Sequence, residues 1–485
     1  MPETGTGAKA RTQAEAGTGT ARGVATGAAA EPGAAAEVAI GAAARTAAGA
    51  AAEAATGTAP KAVAGAASEV GTGAEAATGA GAEPEERRVS NLELFFDLVF
   101  VFTLTQLTVL LTHDLSFAQA GRVLLIFVVL FWMYGAYAYL TNQVPPETNA
   151  RRLPLVLGMS GFLICALAIP GVFKDDGVAF GLGFVLVTVV HSALYAVVHG
   201  RHVLSFALPN VAAALCVTAA GTVDGRAAEA WWLAAIVLQT VTPVISGRFT
   251  RDYTGTRESV NGRVGALDPA HFVERHGLLL IVAFGESVIA IGVGSGDLAL
   301  NLGLFGGVVL ALALATALWW TYFIRDEAAA EAALRRVTGQ GRFRATMRAY
   351  FYCFVPMLLG VAVLAAGVKK SIGHLPDALP TAPAVALAGG VALFLAGNVA
   401  FRASLGIAPV GYRAGATAAA LATAFLGVRV DALAELFALV LVLVTMLLAE
   451  ARWGICEATE AAARPEHASR APEHAGAGCA HCGAA

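Results

Sequence analysis

Charge is what this chain has least of. Asp, Glu, Lys and Arg make up 14% of its residues, whereas 57% are hydrophobic and the mean hydropathy is +0.67. A soluble domain carries about a quarter charged residues. A surface this poor in charge excludes an ordinary water-soluble fold and points to lipid as the solvent. Basic residues form no patch outside short loops, which excludes nucleic acid as a partner. Cysteines are few. Cys165, Cys216 and Cys353 fall in apolar runs and read as small hydrophobes, and no spacing suggests a disulfide framework. The P-loop, G-x-S-x-G, H-E-x-x-H and dinucleotide fingerprints are all missing. No catalytic residue, cofactor or ATP-driven step is therefore expected.

Residues 1–86 lack large apolar side chains and are built almost wholly of Ala, Gly, Thr and Glu. Nothing there offsets the entropy of ordering, so a disordered tail is expected. A basic stretch followed by an apolar one, the mark of a signal peptide, is absent. Residues 453–485 form a second polar tail. Within it Cys479-Ala-His481-Cys482 is a C-x-x-C with a histidine between, a weak candidate for zinc or copper. With no second ligand pair, a solvated tail is the simpler reading.

What the chain does have is apolar runs of spanning length. About 20 apolar residues cross the hydrocarbon core. Such runs recur at 92–112, 121–141, 153–173, 178–199, 202–222, 230–247, 277–295, 302–324, 349–368, 382–401, 409–428 and 430–450. The fold class expected is all-α, a polytopic membrane helical bundle of about a dozen spans. With the N-terminus inside, twenty-one Arg residues fall on the cytoplasmic side, Arg275, Arg402 and Arg413 among them, against six basic residues outside. This bias predicts a bacterial cytoplasmic membrane protein with both termini cytoplasmic.

The second half echoes the first. Phe96-Asp97 matches Gly285-Glu286, Phe131-Trp132-Met133-Tyr134 matches Trp319-Trp320-Thr321-Tyr322, and Pro154 to Gly158 matches Pro356 to Gly360. Three matches in one order on equivalent spans predict two parallel six-helix repeats, residues 87–274 and 275–452.

Acids inside a span cost about 2.5–3.5 kcal/mol at its centre. Asp97 and Glu286 occupy matching places and are expected near mid-membrane, facing a common axis as an ion- or proton-sensitive pair. The competing reading is a buried acid that only fixes packing. Glu93 joins Asp97, Thr105, Thr108 and Thr112 on one helix face. His191 lies mid-span, where a hydrogen-bonded core histidine is the simpler alternative to a proton relay. Asp431 and Glu435 are expected near the outer interface. Trp132, Trp319, Trp320 and Tyr322 read as interfacial anchors or as the lining of a ligand site.

Glu93-Leu-Phe-Phe-Asp97-Leu-Val-Phe-Val101, Glu274-Arg275-His-Gly277-Leu278 leading to Gly285-Glu286-Ser287, and Trp319-Trp320-Thr-Tyr322-Phe323 together resemble the bacterial low temperature requirement protein A family. The resemblance spans residues 88–452. It implies a multi-pass membrane protein linked to growth in the cold, and it brings no agreed molecular activity. One departure is Phe354, two residues before Pro356, where the family often has histidine. The sequence thus favours an ion- or proton-linked transporter or channel-like protein. Its partners would be the bilayer and a small ion or proton. The alternatives are a lipid-binding or lipid-modifying protein and a structural factor in cold adaptation. Nothing sets the oligomeric state.

Overall fold

The computed structural model describes residues 88–199, 203–241, 267–296, 298–299 and 301–463. The expected N-terminal tail and residues 464–485, including Cys479, His481 and Cys482, lie outside the described residues, whereas residues 453–463, expected within the C-terminal tail, continue the last helix. Among those residues every regular element is helical. The first six are α1 (Asn91–His113), α2 (Phe117–Gln143), α3 (Asn149–Ala168), α4 (Gly177–His199), α5 (Val203–Ala220) and α6 (Gly225–Ile236). The rest are α7 (Pro269–Ser295), α8 (Leu302–Phe323), α9 (Asp326–Arg336), α10 (Gly339–Thr346), α11 (Phe354–Ser371), α12 (Thr381–Leu405), α13 (Gly411–Arg429) and α14 (Ala432–Ala463).

Within the described residues each of the twelve expected spans overlaps a helix, but nine stretches there are long and apolar enough to cross a membrane. The other three fall short for different reasons. In α5 the apolar stretch is only Phe206–Ala220. Helix α6 is 12 residues long, extended by a π-helical segment at Val237–Val241. Helix α13 has 19 residues, and its Ala, Gly and Thr dilute its apolarity. The basic segment Arg335 to Arg348, which lies between the expected spans 302–324 and 349–368, folds as part of α9, α10 and the π-helical turn Met347–Cys353 that feeds α11.

Helix starts follow local chemistry. Ser90 and Glu93 form a reciprocal capping box at α1. At α7, Asp268 accepts from the Ala270 N–H at 3.0 Å and Pro269 opens the helix, where its missing N–H costs nothing. In the first half α1 packs on α2 and α3, α3 on α4, α4 on α5, α5 on α6, and α6 returns to α2. In the second, α7 packs on α8 and α11, α11 on α12, α12 on α13, α13 on α14, and α14 returns to α8. The halves meet where α1 lies against α7 and α11. The crossing of α11 on α12 is close. A Cβ at Gly390 would sit 2.5 Å from the Leu364 nitrogen, and one at Gly360 would sit 2.5 Å from that of Phe394. Only glycine lets these backbones approach so closely.

Candidate functional site

The seam between the halves holds most of the expected site residues. Three contacts run in step along α1 and α7, His271 to Glu93, Arg275 to Asp97, and Thr105 to Glu286. Their common order shows that the two helices are parallel. It also sets the depths. Arg275, expected in a cytoplasmic loop, is buried six residues into α7 with 1% of its surface exposed. Its guanidinium donates to Asp97 from Nε at 3.1 and 3.2 Å and from Nη2 at 2.8 Å. Nη1 donates to Glu93 at 3.4 Å and to Thr141 of α2 at 2.5 Å. The cation also sits over the rings of Phe96 and Tyr134. The Tyr134 hydroxyl donates to Asp97 at 3.0 Å.

Glu93 completes the cluster. It accepts from the Ser90 N–H and hydroxyl at 3.0 and 2.8 Å, so the residue that caps α1 also reaches α7. His271 Nε2 lies 3.2 Å from Glu93. Asn142 orients that ring. Its Oδ1 accepts from the Asp268 N–H at 2.9 Å, and its Nδ2 lies 3.0 Å from both the Asp268 carbonyl and His271 Nδ1. An amide NH₂ can only donate, so Nδ1 is the acceptor and Nε2 carries the proton given to Glu93. His271 is neutral in this arrangement. Two carboxylates then face one guanidinium, an excess of one negative charge.

Glu286 stands apart. Its partner Thr105 lies eight residues beyond Asp97 on α1, about 12 Å further along the helix. Asp97 and Glu286 therefore belong to separate hydrogen-bond groups and do not form one centre. The reason is register: Arg275 stands opposite Asp97, and Glu286 is eleven residues further along α7. Among the described residues Thr105, at 2.8 Å, is the sole donor to the Glu286 carboxyl. The Lys369 ammonium acts on it only through space. One turn on from Thr105, the Thr108 hydroxyl is buried without a hydrogen bond, as is that of Ser287 beside Glu286.

The remaining candidates are scattered. His191 is buried in α4 among the rings of Tyr137, Tyr195 and Phe206, far along the chain from either acid group. Glu274 is half-buried, and its charge reaches Glu327 of α9. Trp319 stacks on Phe323, Tyr322 is buried against Phe354 and Phe401, and Trp320 is 49% exposed on the outside of α8. Glu435, expected at an interface, is 0% exposed, its carboxyl against Gly427 of α13.

Every recognisable piece of sequence thus falls within one stretch of helices. A family description, that of the bacterial low temperature requirement A protein, matches residues 88–449. The chain belongs to this family. An uncharacterized protein of Rhizobium meliloti (strain 1021) is 27% identical over 324 residues, which cover 65% of this chain and 77% of the relative. No solved structure matches. Family membership and the apolar helices make the chain a multi-pass integral membrane protein.

A second buried cluster in this family member went unseen in the sequence. Asp326 at the start of α9 accepts from Arg402 of α12 at 3.0 Å, Arg413 of α13 at 2.6 Å and Asn398 at 2.8 Å. Arg413 also forks onto Glu450 of α14 at 2.7 and 2.9 Å and bonds the Asn398 carbonyl oxygen. Two acids face two guanidiniums, so this cluster is balanced. Arg402 and Arg413 are thus helix-locking residues, not loop charges. The one available signal was Arg413 falling inside an expected span. Among the described residues no group of His, Cys, Asp or Glu could hold a metal ion.

Proposed function

We propose that this protein is an ion- or proton-linked transporter or channel-like protein in which Glu286 is the exchanging group. The observation that carries this reading is the contrast between the acids. Asp97 is held by three charge-assisted hydrogen bonds and is a positioning group. Glu286 lies seventeen residues into α7, is 5% exposed and receives one hydroxyl hydrogen bond. A carboxyl in such a place is stable as the neutral acid or as the partner of a bound cation, and cycling between the two is the elementary step of coupled transport.

The same sequence of helix neighbours in both halves supports two six-helix repeats, with α1 and α7 as the paired first helices. The stagger between Asp97 and Glu286 makes their roles unequal. We keep the bacterial cytoplasmic membrane as location, with both termini inside. The rival readings are a lipid-handling or structural protein without transport.

Reconstituted liposomes test the proposal. Wild type should dissipate a proton or monovalent cation gradient, and Glu286→Gln should lower that flux at least tenfold. Asp97→Asn should reduce the amount of folded protein more than the flux per folded molecule. Unchanged flux in Glu286→Gln removes the acid from the mechanism, and a wild type that moves no such ion leaves the rivals standing.

A further inference from the structure

We infer that the outer seam between α8 and α14 is a binding site for an anionic phospholipid. A lateral groove of about 450 Å³ opens there between Val309, Leu312, Thr316 and Trp320 of α8 and Val444 and Leu447 of α14. Its rim faces outward, with Val309 64%, Leu312 49% and Trp320 49% exposed. From Val309 to Trp320 is eleven residues of helix, about 16 Å. Half the thickness of a hydrocarbon core is about 15 Å, so the groove accommodates one acyl chain from mid-bilayer to interface.

The ends of the groove differ, and that difference selects the lipid. Trp320 marks one end, the position an interfacial indole takes beside headgroups. Five residues beyond it, past the end of α8, exposed Arg325 bonds the Glu450 backbone carbonyl at 3.4 Å through one nitrogen only. Asp326 and Glu450 are consumed by Arg402 and Arg413, and Arg325 makes no ion pair among the described residues. The Arg325 guanidinium is therefore left to an external anion, and exposed Arg452 follows on α14. A phosphodiester headgroup on Arg325, with its chain along Trp320 to Val309, satisfies both the charge and the apolar trough. Zwitterionic lipid fills the trough equally well but adds a cation of its own beside Arg325. The groove is lined by α8 and α14, whereas Glu286 belongs to α7, so lipid binding there does not depend on which species is transported.

The experiment is lipid retention by the purified full chain in detergent. The micelles carry equal amounts of phosphatidylglycerol and phosphatidylcholine, and native mass spectrometry reads the bound lipid. Wild type should retain phosphatidylglycerol in about fivefold preference, the effect of one basic residue at a membrane surface. Raising the salt should erode that preference without any substitution. Arg325→Gln should abolish it while leaving lipid bound. Thr316→Phe, on an exposed position where folding is not at stake, should block the trough and lower retention of both lipids, and Leu312→Trp should do the same. Equal retention of the two lipids by wild type would overturn the proposal. So would full retention in both groove-filled variants, or displacement by glycerol phosphate alone, which would mark a site for free anions.

Discussion

Replacing Asp97 by Asn removes a charge and almost nothing else. The Tyr134 hydroxyl can still donate to the amide oxygen, and the side-chain volume is conserved. Arg275, however, loses its countercharge and the Nε bond to Oδ2, and the neutral amide oxygen that can still accept from Nε and Nη2 leaves the guanidinium facing only Glu93 as an anion, at 3.4 Å. Stripping one partner from a buried pair costs about 3–5 kcal/mol. Glu93 compensates in part, so a loss of about 3 kcal/mol is expected. Arg275→Met should cost as much, because it leaves Glu93 and Asp97 facing each other unshielded. The double variant Asp97→Asn/Arg275→Met should be less damaged than the sum of the singles by about 2 kcal/mol, the mark of directly coupled residues. Unfolding in mixed micelles with increasing SDS, followed by far-UV circular dichroism, measures all four corners of the cycle. Additivity within about 0.5 kcal/mol would refute the pairing, as would an Asp97→Asn protein as stable as wild type.

Other outcomes follow from the same geometry. Thr105→Val should leave stability within about 1 kcal/mol and change ion flux as Glu286→Gln does, since it removes the single donor to that carboxyl; liposome flux is the readout. Glu450→Gln should destabilise the second half by about 3 kcal/mol because Arg413 loses its fork, while Glu450→Gln/Arg413→Met recovers part of the loss. Gly390→Ala should cost about 1–3 kcal/mol by forcing α11 from α12, and Gly389→Ala, where a Cβ meets nothing within 4 Å, should be harmless.

The helices themselves were legible, because an apolar run of spanning length has few other fates. Their termini were less so. Helix α7 begins at Pro269, eight residues before the expected 277, although Asp268-Pro269 is a legible start signal. His271, Glu274 and Arg275 outweighed it, since charge in a hydropathy reading always argues for water. The same bias placed Arg402 in a loop, Glu435 at an interface and Arg335 to Arg348 outside any helix. For the buried arginines what undoes the reading is a partner distant in sequence: Asp97 lies 178 residues from Arg275, and Asp326 lies 76 from Arg402 and 87 from Arg413. Burial of charge is a property of pairs, and pairing is invisible to a scale that scores residues singly. Acids as such could be picked out; which one was free could not. Asp97 and Glu286 look alike in sequence, and only the guanidinium beside one of them separates their chemistry.

The stepwise contacts along α1 and α7 have a mechanical consequence. The junction of the two halves is riveted at one end by Arg275 and closed further along by a single hydroxyl on Glu286. A lever fastened this way has its fulcrum at the rivet. Were one half to rock against the other, the seam between α1 and α7 would open on the Glu286 side, where a single side-chain hydrogen bond joins these two helices.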